Sequence, residues 1–141
     1  MPDKCNVILT DDDAEDRDFL IMALERNKFN GSLVEADNGV RLFDILDKCQ
    51  TASKDELPDL LIIDLNMPFM DGFEVLDKLQ HDPELEHIPK VVLSSSSKAE
   101  DVQICQQLGC DKFYQKPSTL QGYDVIAKDV LTYLKNNNHT C

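Results

Sequence analysis

The chain has 141 residues, 42% of them hydrophobic, which suits one domain built on one core and excludes a chain disordered by composition. A formal net charge of −13, from 27 acidic against 14 basic residues, argues against direct binding to nucleic acid or to an anionic membrane surface. The start MPDKCNVIL carries no apolar signal core, and no apolar run approaches the ~18 residues of a membrane span, so the expected location is cytoplasmic. The cysteines Cys5, Cys49, Cys105, Cys110 and Cys141 are odd in number, with no CxxC pair and no histidine spaced for a zinc site. They read as free thiols in a reducing compartment.

The first strand is predicted at residues 5–10, and the chain leaves it through Asp11-Asp12-Asp13. Behind it, DRDFLIMALER places Phe19, Leu20, Ala23 and Leu24 on one helical face, with Asp13 suited to the N-cap. Residues 32–36 read as a second strand, and VRLFDILDKC repeats the helical pattern with Leu42, Phe43, Ile45 and Leu46. After the polar connection QTASKDELP comes a third strand at 59–64, whose aliphatic run Leu60–Ile63 stops on Asp64, with Asn66 and Pro68 just behind. A strand covered on both faces first meets solvent at its C-terminal end, and parallel sheets open their ligand crevices there. Asp64 is therefore placed like a site residue. GFEVLDKLQ then presents Phe73, Leu76 and Leu79, and HDPELEHIP leads to a fourth strand at 89–94 that runs out in Ser94-Ser95-Ser96-Ser97.

The fourth helix is expected to open with the capping box Ser97-Lys98-Ala99-Glu100 and to stop at Gly109. A fifth strand at 112–115 precedes Lys116-Pro117, and the last helix shows Tyr123, Ala127, Val130, Leu131 and Leu134. Strand and helix thus alternate five times, which predicts an α/β fold, a parallel sheet with helices on both faces. No linker or repeat divides residues 1–141, so a single domain without an output module is expected.

In such a sheet the strand ends lie along one edge, where Asp11, Asp12 and Asp13, Asp64 with Asn66, the serines from Ser94, and Lys116 can converge. Carboxylates held together repel one another and call for a cation, and Mg2+ takes oxygen ligands readily. Lys116 is a point charge for an anionic oxygen and a serine hydroxyl can donate to another. With a carboxylate as nucleophile, this set can accept a phosphoryl group, its charge spread over metal, lysine and hydroxyl.

DDD at 11–13, DLNMPFMDG at 64–72, VVLSSS at 91–96 and FYQKP at 113–117 resemble, in order and spacing, the receiver domain of two-component response regulators. The opening LTDDDAEDR and the long connection before the third strand more loosely resemble stand-alone receivers of the cyanobacterial phytochrome-regulator type. The resemblance implies a flavodoxin-like, CheY-like doubly wound sheet of strand order 2-1-3-4-5. It further implies Asp11 and Asp12 as metal-binding acids, and Asp64 as phosphoacceptor and metal ligand. Asn66 would lend its backbone carbonyl to Mg2+, Ser94 would be the switch hydroxyl, Lys116 the phosphoryl-binding lysine and Phe113 the switch aromatic. Ser94 keeps the hydroxyl of the threonine often found there, and Phe113 lacks a phenolic hydroxyl; Tyr114 alternates to the other face.

The expected role is signalling, not enzymatic turnover. A sensor histidine kinase or phosphotransfer protein would supply the phosphoryl group, and an unidentified downstream protein would read the fourth helix, fifth strand and fifth helix. Homodimerisation stays open. A rival aspartyl-nucleophile phosphatase wants a second Asp where Asn66 stands, and a nucleotide- or flavin-binding module wants a phosphate loop where DDDAED stands. A receiver-shaped module that is never phosphorylated is disfavoured by the intact set of Asp11, Asp12, Asp64, Ser94 and Lys116. His81, His87 and His139 share no register and read as surface residues, Met67 and Met70 as loop packing, and Cys105 and Cys110 as buried thiols without a redox role.

Overall fold

The computed structural model describes residues 5–96 and 98–137. Strands β1 (Asn6–Thr10), β2 (Ser32–Ala36), β3 (Leu60–Ile63), β4 (Lys90–Ser94) and β5 (Lys112–Gln115) form one sheet in the order β2-β1-β3-β4-β5, every pairing parallel. Helices α1 (Ala14–Arg26), α2 (Gly39–Ala52), α3 (Gly72–Gln80), α4 (Ala99–Gln107) and α5 (Leu120–Asn136) follow the strands in turn. A short 3-10 turn, Lys54–Glu56, lies in the connection before β3. The alternation and the strand order are those expected from the sequence and its resemblance.

Side chains of a strand alternate between faces, and here both faces are covered. Val7, Leu9, Leu60, Ile62, Val91 and Leu93 pack under α1 and α5, whereas Ile8, Leu61, Ile63 and Val92 pack with α2, α3 and α4. Leu60, Leu61, Ile62 and Ile63 are each at most 1% exposed, so truncating one of them to alanine would cost about 2–5 kcal/mol. Because β3 is buried on both sides, its end is its first polar position. That end is Asp64.

The helix faces follow the expected periodicity, with Leu20, Ala23 and Leu24 buried on α1, Leu42 and Leu46 on α2, and Leu76 and Leu79 on α3. Asp13 caps α1, accepting from the amides of Glu15 and Asp16, so the helix begins earlier than its apolar face does. Helix α2 runs on to Ala52, into the polar connection, because its last turn is fixed by hydrogen bonds that no hydrophobic pattern records: Thr51 Oγ1 donates to the Lys48 carbonyl, and Gln50 Nε2 to Asp82 and Glu84.

Two expectations change. The cap of α4 falls on Lys98, which makes no side-chain capping bond, and Ser97 lies outside the described residues. Ser96 stands in, its Oγ donating to Asp101 at 2.6 Å and lying 3.4 Å from the Lys98 amide. The cysteines are not all free thiols either, since Cys5, buried at the start of β1, is disulfide-bonded. Cys49, Cys105 and Cys110 are the free cysteines of the described residues. Tertiary proximity makes such a bond, and spacing along the chain does not reveal it.

Candidate functional site

Backbone bonds carry the sheet one step past its apolar residues. The Asp11 amide donates to the Ala36 carbonyl at 3.0 Å and the Asp64 amide to the Thr10 carbonyl at 2.9 Å, so the two carboxylates leave neighbouring strands at the same level. Behind Asp64 the chain turns back sharply into α3. A Cβ on Gly72 would lie 2.5 Å from the Asp64 carbonyl oxygen and 2.7 Å from Leu65 Cα, so only glycine lets the helix start this close to the strand end. Between them, Phe69 sits at φ +69° with the Met70 amide bonded to the Pro68 carbonyl at 2.7 Å, a tight and strained turn.

Carboxylate oxygens of Asp11, Asp12 and Asp64 all lie within 4.8 Å of one another. Asp11 and Asp64 are buried, at 2% and 4% exposure, whereas Asp12 is exposed. Burial, reinforced by the charge of Asp11, pushes the Asp64 carboxyl up to about 6 despite Lys116 and the Asn66 amide. Burial likewise raises Asp11. The Lys116 ammonium stands 2.9 Å from Asp11, 3.3 Å from Asp64 and 2.8 Å from Asp16. Burial opposes its charge, but the bonds to Asp16 and Asp11 and the charges of Asp64 and Asp11 outweigh that and hold its pKa above the ordinary range. Two buried carboxylates thus share one ammonium, and a third acid beside them faces solvent. Such an oxygen-only donor set fits a hard divalent cation such as Mg2+.

The other expected residues are placed as follows. Ser94 is fully buried at the end of β4, its Oγ accepting from the Ser96 amide at 3.2 Å, and its carbonyl accepts from the Lys116 amide at 2.7 Å. Asn66 is exposed, with its amide 3.4 Å from Asp64 Oδ1. Phe113 packs against the layer holding α2, α3 and α4, while Tyr114 turns to the opposite layer and donates its hydroxyl to Asp129. Met67 is buried and Met70 half-buried, as loop packing requires, and His81 and His87 are exposed; His139 lies outside the described residues. A cleft of about 530 Å3 between Pro58, His87 and Asn137 sits at the other edge of the sheet.

Sequence reasoning missed Asp16 and Arg17. Asp16 gives Lys116 its shortest contact, and Arg17 donates to the Asp11 carbonyl and, through Nε, to Glu35 at 2.9 Å. The available signal was the Asp13 cap, which fixes the phase of α1 and brings its third residue back toward the sheet edge.

A family model described as the response regulator receiver domain matches residues 7–127. The two-component response regulator ARR17 of Arabidopsis thaliana is 30% identical over 131 residues, covering 89% of this chain and 84% of that protein. Response regulator Rcp1 of Synechocystis is 27% identical over 115 residues, covering 82% and 78%. Among solved structures, the phosphorylated cyanobacterial phytochrome response regulator RcpA superposes with a TM-score of 0.84 at 28% identity, over 95% of this chain and 96% of that one. The Mn2+-bound form of Rcp1 superposes with a TM-score of 0.79 at 25% identity, over 92% and 93%. A probable cyclic di-GMP phosphodiesterase of Vibrio cholerae is 36% identical over 78 residues, but the chain spans only 17% of its length. With the fold, the strand order and the acidic edge in agreement, this chain belongs to the response regulator receiver domain family of two-component signalling.

Proposed function

We propose that Asp64 is the phosphoacceptor of this receiver domain in a cytoplasmic two-component phosphorelay. The observation that carries this reading is a buried carboxylate at the end of the central strand, raised to about 6, between Asp11 and the Lys116 ammonium. An oxygen of Asp64 attacks phosphorus while the P–N bond of a phosphohistidine breaks and the histidine nitrogen departs. The donor is a sensor histidine kinase or a phosphotransfer protein. Asp11, Asp12, Asp64 and the Asn66 backbone carbonyl are the residues that would hold Mg2+. Bound there, the ion would neutralise acid and phosphoryl charge. Lys116 holds a phosphoryl oxygen, and orienting these groups is the protein's contribution both to its own phosphorylation and to hydrolysis.

Ser94 reads the phosphoryl group from β4, and Phe113 repacks beside it on β5. Phosphorylation adds about −1.5 to −2 charge, enough to pull a hydroxyl from a weak local partner such as the Ser96 amide at 3.2 Å. The changed surface of α4, β5 and α5 is read by a downstream protein or by a second copy of the chain. The likeness to phytochrome response regulators supports a donor kinase of that sensory class. The chain itself is not assigned the phosphodiesterase activity named for the Vibrio relative, because the match covers a small part of that protein.

Acetyl phosphate and Mg2+, followed by intact mass, test the proposal. One phosphoryl group should be added to the parent and none to Asp64→Asn; equal labelling of both refutes the assignment.

A further inference from the structure

Helix α4 ends in a pair of thiols that the acceptor site does not use. Gly109 takes φ +92°, its amide donates to the Gln106 carbonyl at 3.1 Å, and the Cys110 amide donates to the Cys105 carbonyl at 2.9 Å. These paired bonds are those of a Schellman cap, which sets the side chain after the glycine against the side chain near the end of the helix. Here the two are Cys110 and Cys105. Cys105 is fully buried and Cys110 half-buried in the same hydrophobic layer, and both thiols are free.

Standard bond lengths keep two α-carbons joined through a 2.9 Å backbone hydrogen bond within about 7 Å of each other. Disulfides span roughly 4.4–6.8 Å. The pair therefore lies within reach of a bond without movement of the sheet. Interaction with the neighbouring Cys105 thiol holds the Cys110 thiol below the ordinary thiol range against burial and Asp111, with Lys90 assisting, whereas the same interaction and burial raise Cys105. The accessible member is also the more acidic one.

We propose that Cys105 and Cys110 form a redox-active dithiol, which small-molecule disulfides convert to an intramolecular disulfide that fastens the end of α4 to the start of β5. The Cys110 thiolate attacks one sulfur of the small disulfide, whose S–S bond breaks and releases one thiolate. The Cys105 thiol then gives up its proton and attacks the Cys110 sulfur, expelling the second small thiolate. Two protein thiols are oxidised, one small disulfide is reduced to two thiols, and the protons pass to the released thiolates. Cys49 serves as an internal comparison, since burial and then Glu56 push its thiol up.

The test exposes the folded full chain to oxidised glutathione, blocks remaining thiols and digests with trypsin. Residues 99–112 form one peptide, AEDVQICQQLGCDK, with Cys105 and Cys110 as its cysteines. The expected result is loss of two hydrogens from this peptide about tenfold faster than Cys49 gains glutathione, with slower amide exchange over α4. Cys105→Ala should leave Cys110 as a stable glutathione adduct, and Cys110→Ala should leave Cys105 unmodified. The proposal is overturned if the peptide keeps both thiols after Cys49 has reacted. It is equally overturned if the chain bridges as fast in urea as when folded, or if α4 exchange is unchanged by the bridge. None of these readouts depends on phosphorylation at Asp64.

Discussion

Replacing Asp64 with asparagine should make the metal-free protein more stable, by an amount that grows with pH. The carboxyl is only 4% exposed, and its folded pKa of about 6 lies above the 3.8 of a free aspartate. The folded state therefore binds the Asp64 proton more tightly than the unfolded chain does. That contribution to stability is fully present below the unfolded pKa and is lost as pH rises through the folded one. Linkage over that interval amounts to less than about 1 kcal/mol at pH 4 and grows to about 3 kcal/mol at pH 7.5. Asparagine stands in for the neutral acid and does not titrate. In urea titrations with a chelator present, the variant should match the parent near pH 4 and unfold about 1–2 M later at pH 7.5. Saturating Mg2+ should then narrow the gap by binding the parent's folded state. A variant that is less stable at pH 7.5, or a difference that does not vary with pH, would show that Asp64 carries no desolvation penalty and that Lys116 already neutralises it.

Other outcomes follow from neighbouring contacts. Gly72→Ala must push backbone against backbone at 2.5 Å, so it should cost about 1–3 kcal/mol in urea unfolding and reduce phosphoryl uptake; an unchanged midpoint would mean that α3 slides freely. Thr10 Oγ1 is buried with no hydrogen-bond partner among the described residues, and Thr10→Val should stabilise by about 1 kcal/mol, whereas a loss would point to a bound water there. Lys116→Met leaves buried Asp11 and Asp64 without their ammonium and should destabilise by about 3–5 kcal/mol at pH 7, with part of that recovered on adding Mg2+. Ser96→Ala removes the bond to Asp101 from a helix whose cap residue makes none, and thermal unfolding should register about 0.5–2 kcal/mol.

Asp11, Asp64, Ser94 and Lys116 were legible because each stands where an apolar strand stops, and a parallel sheet gathers those stops on one edge. Phe113 and Tyr114 were assigned to opposite faces by strand alternation alone. Asp16 was hidden because its reach depends on the phase of α1, set by the Asp13 cap rather than by hydrophobic spacing. Lys90 reads as an error in an apolar strand until its ammonium is seen bonded to the Glu86 and Ile88 carbonyls, which are backbone groups that no side-chain pattern encodes. Cys105 and Cys110 are five apart, off any common helical stripe, and meet only because Gly109 reverses the chain.

The contact between Lys116 and its acids also bears on how a newly made chain behaves. Lys116 is 100 residues from Asp16 and 52 from Asp64, and it arrives with the edge strand that is synthesised last. A nascent chain still lacking β5 holds Asp11, Asp12 and Asp64 with no ammonium among them, so their repulsion weakens the partial sheet. Emergence of the final strand supplies the counter-charge, and closure of the acidic edge becomes one of the last events in folding. The acidic edge is thus completed only when the last strand is in place.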